Sequence, residues 1–204
     1  TPIKSSAASD VYKRQFHDEG ATGLPALSAY TGMVFRHIAP QDFTAEDWAY
    51  AQSHLFITSF LYGLLRPADR IRNYRLEGHV RLPEEEDRTL FAYWRARLTD
   101  VFISAIRQQG GILVNLASAE MKNLFDWTRV TQEVRVITPD FYTYKGGRLS
   151  TVVVYAKMCR GEMTRFILKN RIENPEDLKT FEWEGYRFNP RESHDDHWVF
   201  TPGT

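Results

Sequence analysis

The spacing of apolar residues along the chain predicts a fold that contains both helices and strands. The clearest helical pattern covers residues 90–106, and the Gly110-Gly111 pair that follows is a typical helix stop. The acidic residues 84–87 precede it and are predicted to form its first turn. Another helix is predicted after Thr44, where Thr-Ala-Glu-Asp resembles a capping box, and a third over residues 163–172.

Shorter apolar runs between these helices predict β-strands. The runs lie at residues 56–59, 111–117, 134–137, 141–144, 149–155, 186–188 and 198–201. The run at 111–117 is almost wholly apolar, which is typical of a strand buried on both faces. Lys-Gly-Gly-Arg at 145–148 predicts a hairpin turn. The order of elements predicts a mixed α/β fold, a single domain whose mixed central sheet is flanked by helices around a basic cleft.

The first fifteen residues differ in composition from the rest of the chain. Residues 5–15 match the translation of a common transposase sequencing adapter, so residues 1–15 are interpreted as a disordered, non-native scar and residues 16–204 as the domain. The scar lacks the apolar core of a signal peptide. Without it the chain carries 23 basic and 25 acidic residues, a net charge of −2. On this interpretation the domain lacks its native N-terminal part, and a missing central strand would leave the sheet open at an edge.

Composition indicates a folded protein of a reducing compartment. Hydrophobic residues make up 43% of the chain and aromatic residues 14%, as in globular domains. No apolar run approaches the ~20 residues that span a bilayer, so no membrane partner is expected. The single cysteine, Cys159, cannot form an internal disulfide and suits the cytoplasm. We expect a monomer without a cofactor.

Two segments rich in arginine and lysine are candidates for binding an anion. In residues 59–77 four arginines alternate with apolar residues, and a glycine and a proline predict a turn that aims Arg66 into a cleft. Residues 157–171 carry five basic residues and one acid, with Lys157 and Arg160 expected in the first turn of a helix. The alternative for both segments is a solvated basic surface.

Polar residues lie at and just after the end of the apolar run at 111–117. They are Asn115, Ser118, Glu120 and Lys122. The end of a strand is a favoured place for a ligand in α/β sheets. The mixture of donors, cations and acids also suits an enzyme that acts on a small anionic or nucleotide-like substrate. Glu77, Glu120 and Tyr155 are weak candidates for its catalytic groups, and ion pairs with nearby arginines are the alternative for the two acids.

Two further features suggest chemistry only weakly. His194-Asp195-Asp196-His197 has metal-ligand residue types but no clear third partner, so no metal site is expected. Cys159 lies near Lys157 and Arg160, which would favour a reactive thiolate and a redox sensor. A small buried helix residue is the favoured interpretation of this cysteine.

Several blocks of the sequence resemble the YaaA family of bacterial peroxide-stress proteins. In chain order they are Ser59–Glu77, Asn115–Glu120 with Lys122, Tyr155–Lys157 with Arg160-Gly161, Met163–Phe166, Asn170-Arg171, and Glu184–Tyr186 with Phe188. The resemblance extends from about Phe16 to the C-terminus. Phe60, Gly78 and Met121 depart from the family pattern. Family members begin with a strand and a Ser-Pro-Ala-Lys motif that this chain lacks, which agrees with the scar interpretation.

The resemblance implies a cytoplasmic α/β protein that limits free iron and protects DNA during hydrogen peroxide stress. It also implies a positively charged cleft and DNA binding. The candidate DNA-binding or anion-binding residues are Arg66, Arg75, Asn115, Ser118, Lys122, Lys157, Arg160 and Arg165. Contacts of this kind to phosphates give affinity without sequence preference. The enzyme acting on a small anionic or nucleotide-like substrate stays open as the alternative, so the sequence leaves enzymatic activity undecided.

Overall fold

The computed structural model describes residues 22–203, so the predicted scar at residues 1–15 lies outside the described residues. The α-helices of the described part are α1 (Ala26–Ala29), α2 (Met33–Ile38), α3 (Ala45–His54), α4 (Leu90–Gln108), α5 (Trp127–Glu133) and α6 (Val153–Asn170). Short 3-10 helices cover Pro40–Asp42, Pro83–Glu85, Ala119–Leu124 and Pro175–Thr180. None of these helices has the length and apolar content needed to cross a bilayer.

The strands of the same part of the chain are mostly short. They are β1 (Leu24–Pro25), β2 (Ile57–Ser59), β3 (Gly63–Leu65), β4 (Arg70–Ile71), β5 (Arg81–Leu82), β6 (Arg88–Thr89), β7 (Ile112–Val114), β8 (Arg135–Phe141), β9 (Thr143–Lys145), β10 (Arg148–Ser150), β11 (Glu182–Trp183), β12 (Tyr186–Phe188) and β13 (His197–Pro202). Eight of them form two-stranded pairs: β1 with β4, β2 with β3, β5 with β6, and β9 with β10.

The other five strands form a mixed sheet at the centre of the fold. Their order is β11-β12-β13-β8-β7. Both β7 and β13 run parallel to β8, with Val114 opposite Ile137 and Phe200 opposite Phe141. By contrast, β12 is antiparallel to β13. Among the described residues β7 therefore forms one edge of this sheet.

Helices cover both faces of the sheet. Along β8, Val136 packs into the apolar cluster of α4 and α5, whereas the next residue, Ile137, packs into the cluster that contains α6. Successive side chains of a strand point to opposite faces. The same division holds on β7, where Leu113 faces the α4 cluster and Val114 the α6 cluster. The predicted mixed α/β domain, with a mixed central sheet between helices, is confirmed.

A third apolar cluster joins the first helices to the short strands that follow them. Its buried members are Ala26, Leu27, Ala29, Ile38, Ala51, Ile57, Leu65, Ile71 and Leu168. Leu168 lies in the C-terminal half of α6, so this helix connects the third cluster to the sheet. The close approach of α2 and α6 depends on Gly161, because a Cβ atom there would overlap the carbonyl oxygen of Val34.

Helix α3 begins where the sequence predicts. The Thr44 hydroxyl accepts a hydrogen bond from the Asp47 N–H at 3.2 Å, and the Asp47 carboxylate accepts one from the Thr44 N–H at 3.0 Å. These two bonds complete a capping box. Asp47 also forms ion pairs with Lys169 at 2.9 Å and Arg171 at 3.2 Å. The cap of α3 therefore also anchors the C-terminal end of α6.

The prediction that residues 84–87 form the first turn of the long helix is wrong. Helix α4 begins at Leu90, and the Thr89 hydroxyl caps it by accepting from the Ala92 N–H at 3.3 Å. The acids lie in the Pro83–Glu85 helix and in the turn that leads to β6. Glu86 and Asp87 have φ angles of 55° and 57°, which are left-handed and incompatible with an α-helical turn.

Two strand predictions also need correction. The run at 149–155 is not one strand, because β10 ends at Ser150 and α6 begins at Val153. Its valines suggested a strand, but β-branched residues lower helix propensity only slightly. The run at 111–117 is a strand only at Ile112–Val114. Its side chains meet apolar clusters on both faces, as predicted, but β7 lies at the sheet edge and Ile112 is 37% exposed.

Candidate anion-binding site

A cavity of about 640 Å³ lies beside the outer edge of β7. Residues 112–118 and residues 53–58 both contribute to its lining. Phe102 of α4 and Leu168 of α6 belong to its other walls. Most of the lining is apolar, and a volume of several hundred Å³ is typical of small-molecule sites.

Five of the eight candidate anion-binding residues line this cavity. They are Asn115, Ser118, Lys122, Lys157 and Arg160, and we call them the cationic cluster. The first three follow the carboxyl end of β7 along the chain, the third within the Ala119–Leu124 helix. The last two lie in the N-terminal half of α6. This helix follows β8, β9 and β10 along the chain and packs against the sheet. The five side chains thus line one cavity, three of them at or after the carboxyl end of β7 and Arg160 beside Asp140 of β8.

The α6 residues of the cluster share one helix face because of their spacing. Lys157, Arg160 and Thr164 are separated by three and four residues and all line the cavity. Thr164 is buried and donates from its hydroxyl to the Arg160 carbonyl at 2.8 Å. Thr164 is not among the residues predicted for the site, although its spacing from Lys157 identifies it. The stripe continues with Leu168, so the cavity wall becomes apolar towards the C-terminal end of α6.

The cluster carries an excess of positive charge. Lys157 is exposed and has no ion pair among the described residues, and the Lys122 ammonium lies 5.2 Å from the centre of the Trp127 ring. Glu173, beyond the opposite end of α6, is the single acid among the described lining residues. Asn115 is only 7% exposed and adds a buried amide to the cations.

Asp140 lies next to the cluster and was missed by sequence analysis. Its carboxylate is 3.9 Å from the Arg160 guanidinium and 2.9 Å from Nε2 of His197. The Tyr142 hydroxyl donates to the same carboxylate at 3.4 Å, and burial raises the pKa of Tyr142. Asp140 therefore partly neutralises Arg160. No sequence pattern links residues so far apart.

One expectation about the cluster is wrong. Helix α6 begins at Val153, so Lys157 and Arg160 are its fifth and eighth residues and lie beyond the first turn. The unsatisfied N–H groups of a helix N-terminus reach only that first turn. Any anion held by these two residues is thus bound by their side chains alone.

Arg66 and Arg165 lie outside the cluster and make other contacts. The Arg66 guanidinium is 3.7 Å from the centre of the Phe56 ring and donates to the Ser53 carbonyl at 3.2 Å. Arg165 pairs with Asp42 and donates to the Ala39 carbonyl at 2.9 Å. Both side chains hold neighbouring segments together in this structure, and their predicted contact with an anion stays a prediction.

The remaining candidates do not line the cavity. Arg75 and Glu77 are exposed in the segment between β4 and β5. Glu120 is exposed on the Ala119–Leu124 helix. Tyr155 is 46% exposed, and its ring centre lies 6.2 Å from that of Tyr186. The structure therefore brings no predicted catalytic acid or base to the cationic cluster.

Cys159 is fully buried in the α6 cluster, and burial raises the pKa of its thiol to about 12. This environment favours the small buried helix residue over the redox sensor. In the His194–His197 segment the two histidine rings lie 5.0 Å apart, and His197 is bound to Asp140. Within residues 22–203, no three His, Cys, Asp or Glu side chains gather in a group that could hold a metal.

Comparison with known proteins decides the family. The family model described as "Peroxide stress protein YaaA" matches residues 3–192. The chain belongs to the YaaA family. A UPF0246 protein of Phocaeicola vulgatus is 59% identical over 201 residues, which cover 98% of this chain and 79% of the relative. UPF0246 protein BF3795 of Bacteroides fragilis is 60% identical over 203 residues, with the same coverage.

The similarity extends to more distant YaaA relatives. A UPF0246 protein of Porphyromonas gingivalis is 49% identical over 201 residues, covering 97% of this chain and 78% of the relative. The resemblance seen in the sequence is therefore confirmed, and the chain is a member of a peroxide-stress family.

Proposed function

We propose that this YaaA-family protein acts in the cytoplasm during hydrogen peroxide stress by binding DNA without sequence preference and by limiting free iron. The DNA contacts are assigned to the cationic cluster, with Lys122, Lys157 and Arg160 binding phosphates. Asn115 and Ser118 add hydrogen bonds. Contacts to phosphates position a protein on a duplex but read no sequence.

The observation that supports DNA binding is that three cations from two distant segments line one cavity. Lys122 comes from the segment after β7 and the other two from α6. Glu173 is the single acid among the described lining residues of this cavity, and Lys157 has no ion pair within the described chain. An exposed, uncompensated cation attracts an anion at long range.

The iron part of the proposal rests on family membership. Its test is cellular: bacteria that lack the protein are expected to contain more chelatable iron during peroxide exposure, measured by electron paramagnetic resonance of whole cells. A variant with Lys157→Glu and Arg160→Glu should show whether this effect depends on the cationic cluster. Equal iron in cells with and without the protein would refute this part.

DNA binding can be tested by fluorescence anisotropy with a labelled duplex over a range of salt concentrations. Three phosphate contacts predict a slope of log K against log salt of about −3, and the Lys157→Glu, Arg160→Glu variant should reduce it to about −1. Lys157→Glu alone is a second variant, because this side chain is exposed and its replacement leaves the fold unstrained.

The matched control is Arg187→Glu with Arg191→Glu. Both side chains are exposed, and Arg187 lies on β12, which β13 and β8 separate from β7. This variant has the same net charge as the cluster variant and should keep the wild-type slope. No binding by the wild type, or equal loss in both variants, would contradict DNA binding through the cluster.

A small anionic or nucleotide-like ligand is the second candidate. The buried position of Asn115 favours a small ligand. A phosphate of a DNA duplex can be bound by exposed donors alone, so a buried side-chain donor is not needed for it. Isothermal titration with inorganic phosphate and with adenosine monophosphate tests this, and Asn115→Ala should weaken binding by roughly tenfold, about one lost hydrogen bond. Absence of heat with both compounds would count against this candidate.

A further inference from the structure

We propose that Arg160 and Asp140 form a subsite for a phosphate that carries a proton. Such a subsite binds a phosphate monoester in preference to a phosphodiester or sulfate. The ligand is the small anionic or nucleotide-like compound of the second candidate function, on which the proposal rests. The DNA contacts of the cationic cluster are a separate matter.

The Asp140 carboxylate is held at one oxygen and open at the other. Nε2 of His197 lies 2.9 Å from Oδ2, and because a carboxylate only accepts hydrogen bonds, this ring nitrogen carries a proton and donates it. The Tyr142 hydroxyl donates to the same oxygen at 3.4 Å. Burial and the charge of Asp140 raise the pKa of Tyr142, which keeps its hydroxyl protonated. Oδ1 accepts no hydrogen bond from the residues that the structure describes.

The open oxygen faces the Arg160 guanidinium across a gap. Oδ1 lies 3.9 Å from a guanidinium nitrogen, which is too long for a direct hydrogen bond. The side chain of Arg160 is only 22% exposed, yet its guanidinium donates to no residue in the described part of the chain. Polar groups with so little exposure are usually hydrogen-bonded. A guanidinium with its donors unused is therefore suited to binding an anion.

Three elements bring the two sides of the gap together. Asp140 is the penultimate residue of β8, and His197 is the first residue of β13, which runs parallel to β8. Arg160 comes from α6, where it shares a helix face with Lys157 and Thr164. The gap thus adjoins the cationic cluster, and an anion bound by Arg160 also meets the carboxylate of Asp140.

An anion in the gap has to satisfy a donor and an acceptor at once. Arg160 offers only N–H groups, whereas Oδ1 of Asp140 offers only lone pairs. A phosphate monoester can carry a proton near neutral pH, because its second pKa is about 6. One of its oxygens then accepts from Arg160 while its P–OH donates to Asp140. Sulfate and phosphodiesters have no such proton, and the carboxylate repels their charged oxygens.

The test compares anions that differ in this proton. The whole chain is titrated calorimetrically at pH 6 with inorganic phosphate and with sulfate, which have the same shape. On charge alone sulfate would bind more tightly, because it is a dianion at this pH and phosphate is mostly a monoanion. We expect the opposite order, with phosphate bound about tenfold more tightly, the effect of one hydrogen bond to a charged group.

A second pair of compounds applies the same test to nucleotides. Adenosine monophosphate is a monoester, and cyclic adenosine monophosphate has the same base and sugar but is a diester. The monoester should bind about tenfold more tightly at pH 6. Equal binding within both pairs would overturn the subsite and leave the second candidate function intact. No heat with any of the four anions would overturn both together.

Asp140→Asn shows whether the carboxylate causes the preference. The amide keeps the shape of the side chain but does not repel an anion, so sulfate should bind more tightly and the ratio of phosphate to sulfate affinity should fall to about one. A purely structural role of Asp140 would weaken both anions alike and leave the ratio unchanged, which would contradict the subsite. If Asp140→Asn does not fold, the two wild-type comparisons decide alone.

The matched control is Asp196→Asn. It makes the same change of charge at the residue next to His197, but the Asp196 carboxylate pairs with Arg135 at 2.8 Å. This variant should keep the wild-type ratio of phosphate to sulfate affinity. Loss of the ratio in both variants would show that the preference comes from the general charge of this region and would overturn the subsite.

The preference should also depend on pH. At pH 8 phosphate and sulfate are both dianions, so we expect their affinities for the wild type to become about equal. The other groups around Asp140 are His197, Tyr142, Arg160 and, with its ring 5.0 Å from that of His197, His194. Asp140→Asn retains all four, so a change of the ratio with pH that persists in this variant would contradict the role of the carboxylate.

Discussion

Asp47 shows how a single buried carboxylate stabilises two helices. Its side chain is 4% exposed, completes the cap of α3 and pairs with Lys169 and Arg171. The hydrogen bond from Lys169, followed by that from the Thr44 N–H, lowers the pKa of Asp47 from 3.8 to about 2. A carboxyl with a lowered pKa stabilises the fold fully above its unfolded value and loses that contribution as the pH falls.

The contribution of the ionised Asp47 carboxylate should therefore appear in the pH dependence of the free energy of unfolding. In urea unfolding, the wild type is expected to lose stability between pH 4 and pH 2 more steeply than Asp47→Asn, which is already less stable at pH 7 because it lacks the charge. Asp195→Asn is the control, since Asp195 is exposed and forms no ion pair among the described residues. Parallel pH profiles for Asp47→Asn and the wild type would contradict this assignment.

Cys159 should be unreactive in the folded protein. Its thiol is fully buried and its pKa is raised to about 12, so almost no thiolate exists at pH 8. With Ellman's reagent at pH 8, we expect no colour over minutes from the native protein and one thiol per chain in 6 M guanidinium. Rapid reaction of the native protein would restore the redox-sensor alternative.

A substitution of Arg66 distinguishes its predicted role in binding an anion from a role in stabilising the fold. Arg66→Lys loses the stacking on Phe56 and the hydrogen bond to the Ser53 carbonyl. It should lower the free energy of unfolding by about 1 kcal/mol. The salt slope for DNA should not change. A slope reduced by about one would instead place Arg66 against a phosphate.

At the scale of elements, the contact between α2 and α6 depends on one missing side chain. A Cβ atom at Gly161 would overlap the Val34 carbonyl oxygen and lie 2.6 Å from the His37 Cβ. Neither atom can move without shifting its helix. On the other side of the contact, His37 Nδ1 lies 2.8 Å from a Glu162 carboxylate oxygen and fixes the register of the two helices.

Gly161→Ala should therefore destabilise the protein although alanine favours helices. The expected loss is about 1–3 kcal/mol from overpacking, measured by thermal or urea unfolding. Gly32→Ala is the matched control, because a Cβ at Gly32 meets nothing within 4 Å. Its effect should stay below about 1 kcal/mol, the range of a changed helix cap. Equal effects of the two substitutions would show that the helix contact adjusts freely.

The sequence predicts elements well where local signals agree. In helix α4 a long helical spacing of apolar residues is followed by a glycine pair. The helix covers Leu90–Gln108, which includes the whole range predicted from that spacing. Its start was misplaced because two residues in left-handed conformation, Glu86 and Asp87, interrupt the acidic run. The start of α6 was missed because valine and tyrosine at 152–155 suit a strand locally, and only tertiary packing decides between the two structures.

At the scale of the whole molecule, the fold class was predictable and the site only in part. Strand order places β7 at an edge, and no local pattern encodes that position. The sequence predicts each residue of the cationic cluster as an anion-binding candidate. That all five line one cavity depends on how α6 packs on the sheet, which the sequence does not encode locally. Arg165 could not be separated from the cluster by sequence, since its partner Asp42 lies 123 residues away.

Helix α6 and the residue that follows it carry two kinds of cation, and they should respond differently to ionic strength. Lys157 is exposed, so its attraction for an anion is screened strongly by salt, whereas Lys169 and Arg171 act on a carboxylate that is only 4% exposed. Under the proposed DNA binding, a wash at 1 M sodium chloride should strip nucleic acid from a preparation while circular dichroism stays unchanged. Purification in high salt would thus yield folded protein with its cationic cluster free for titration.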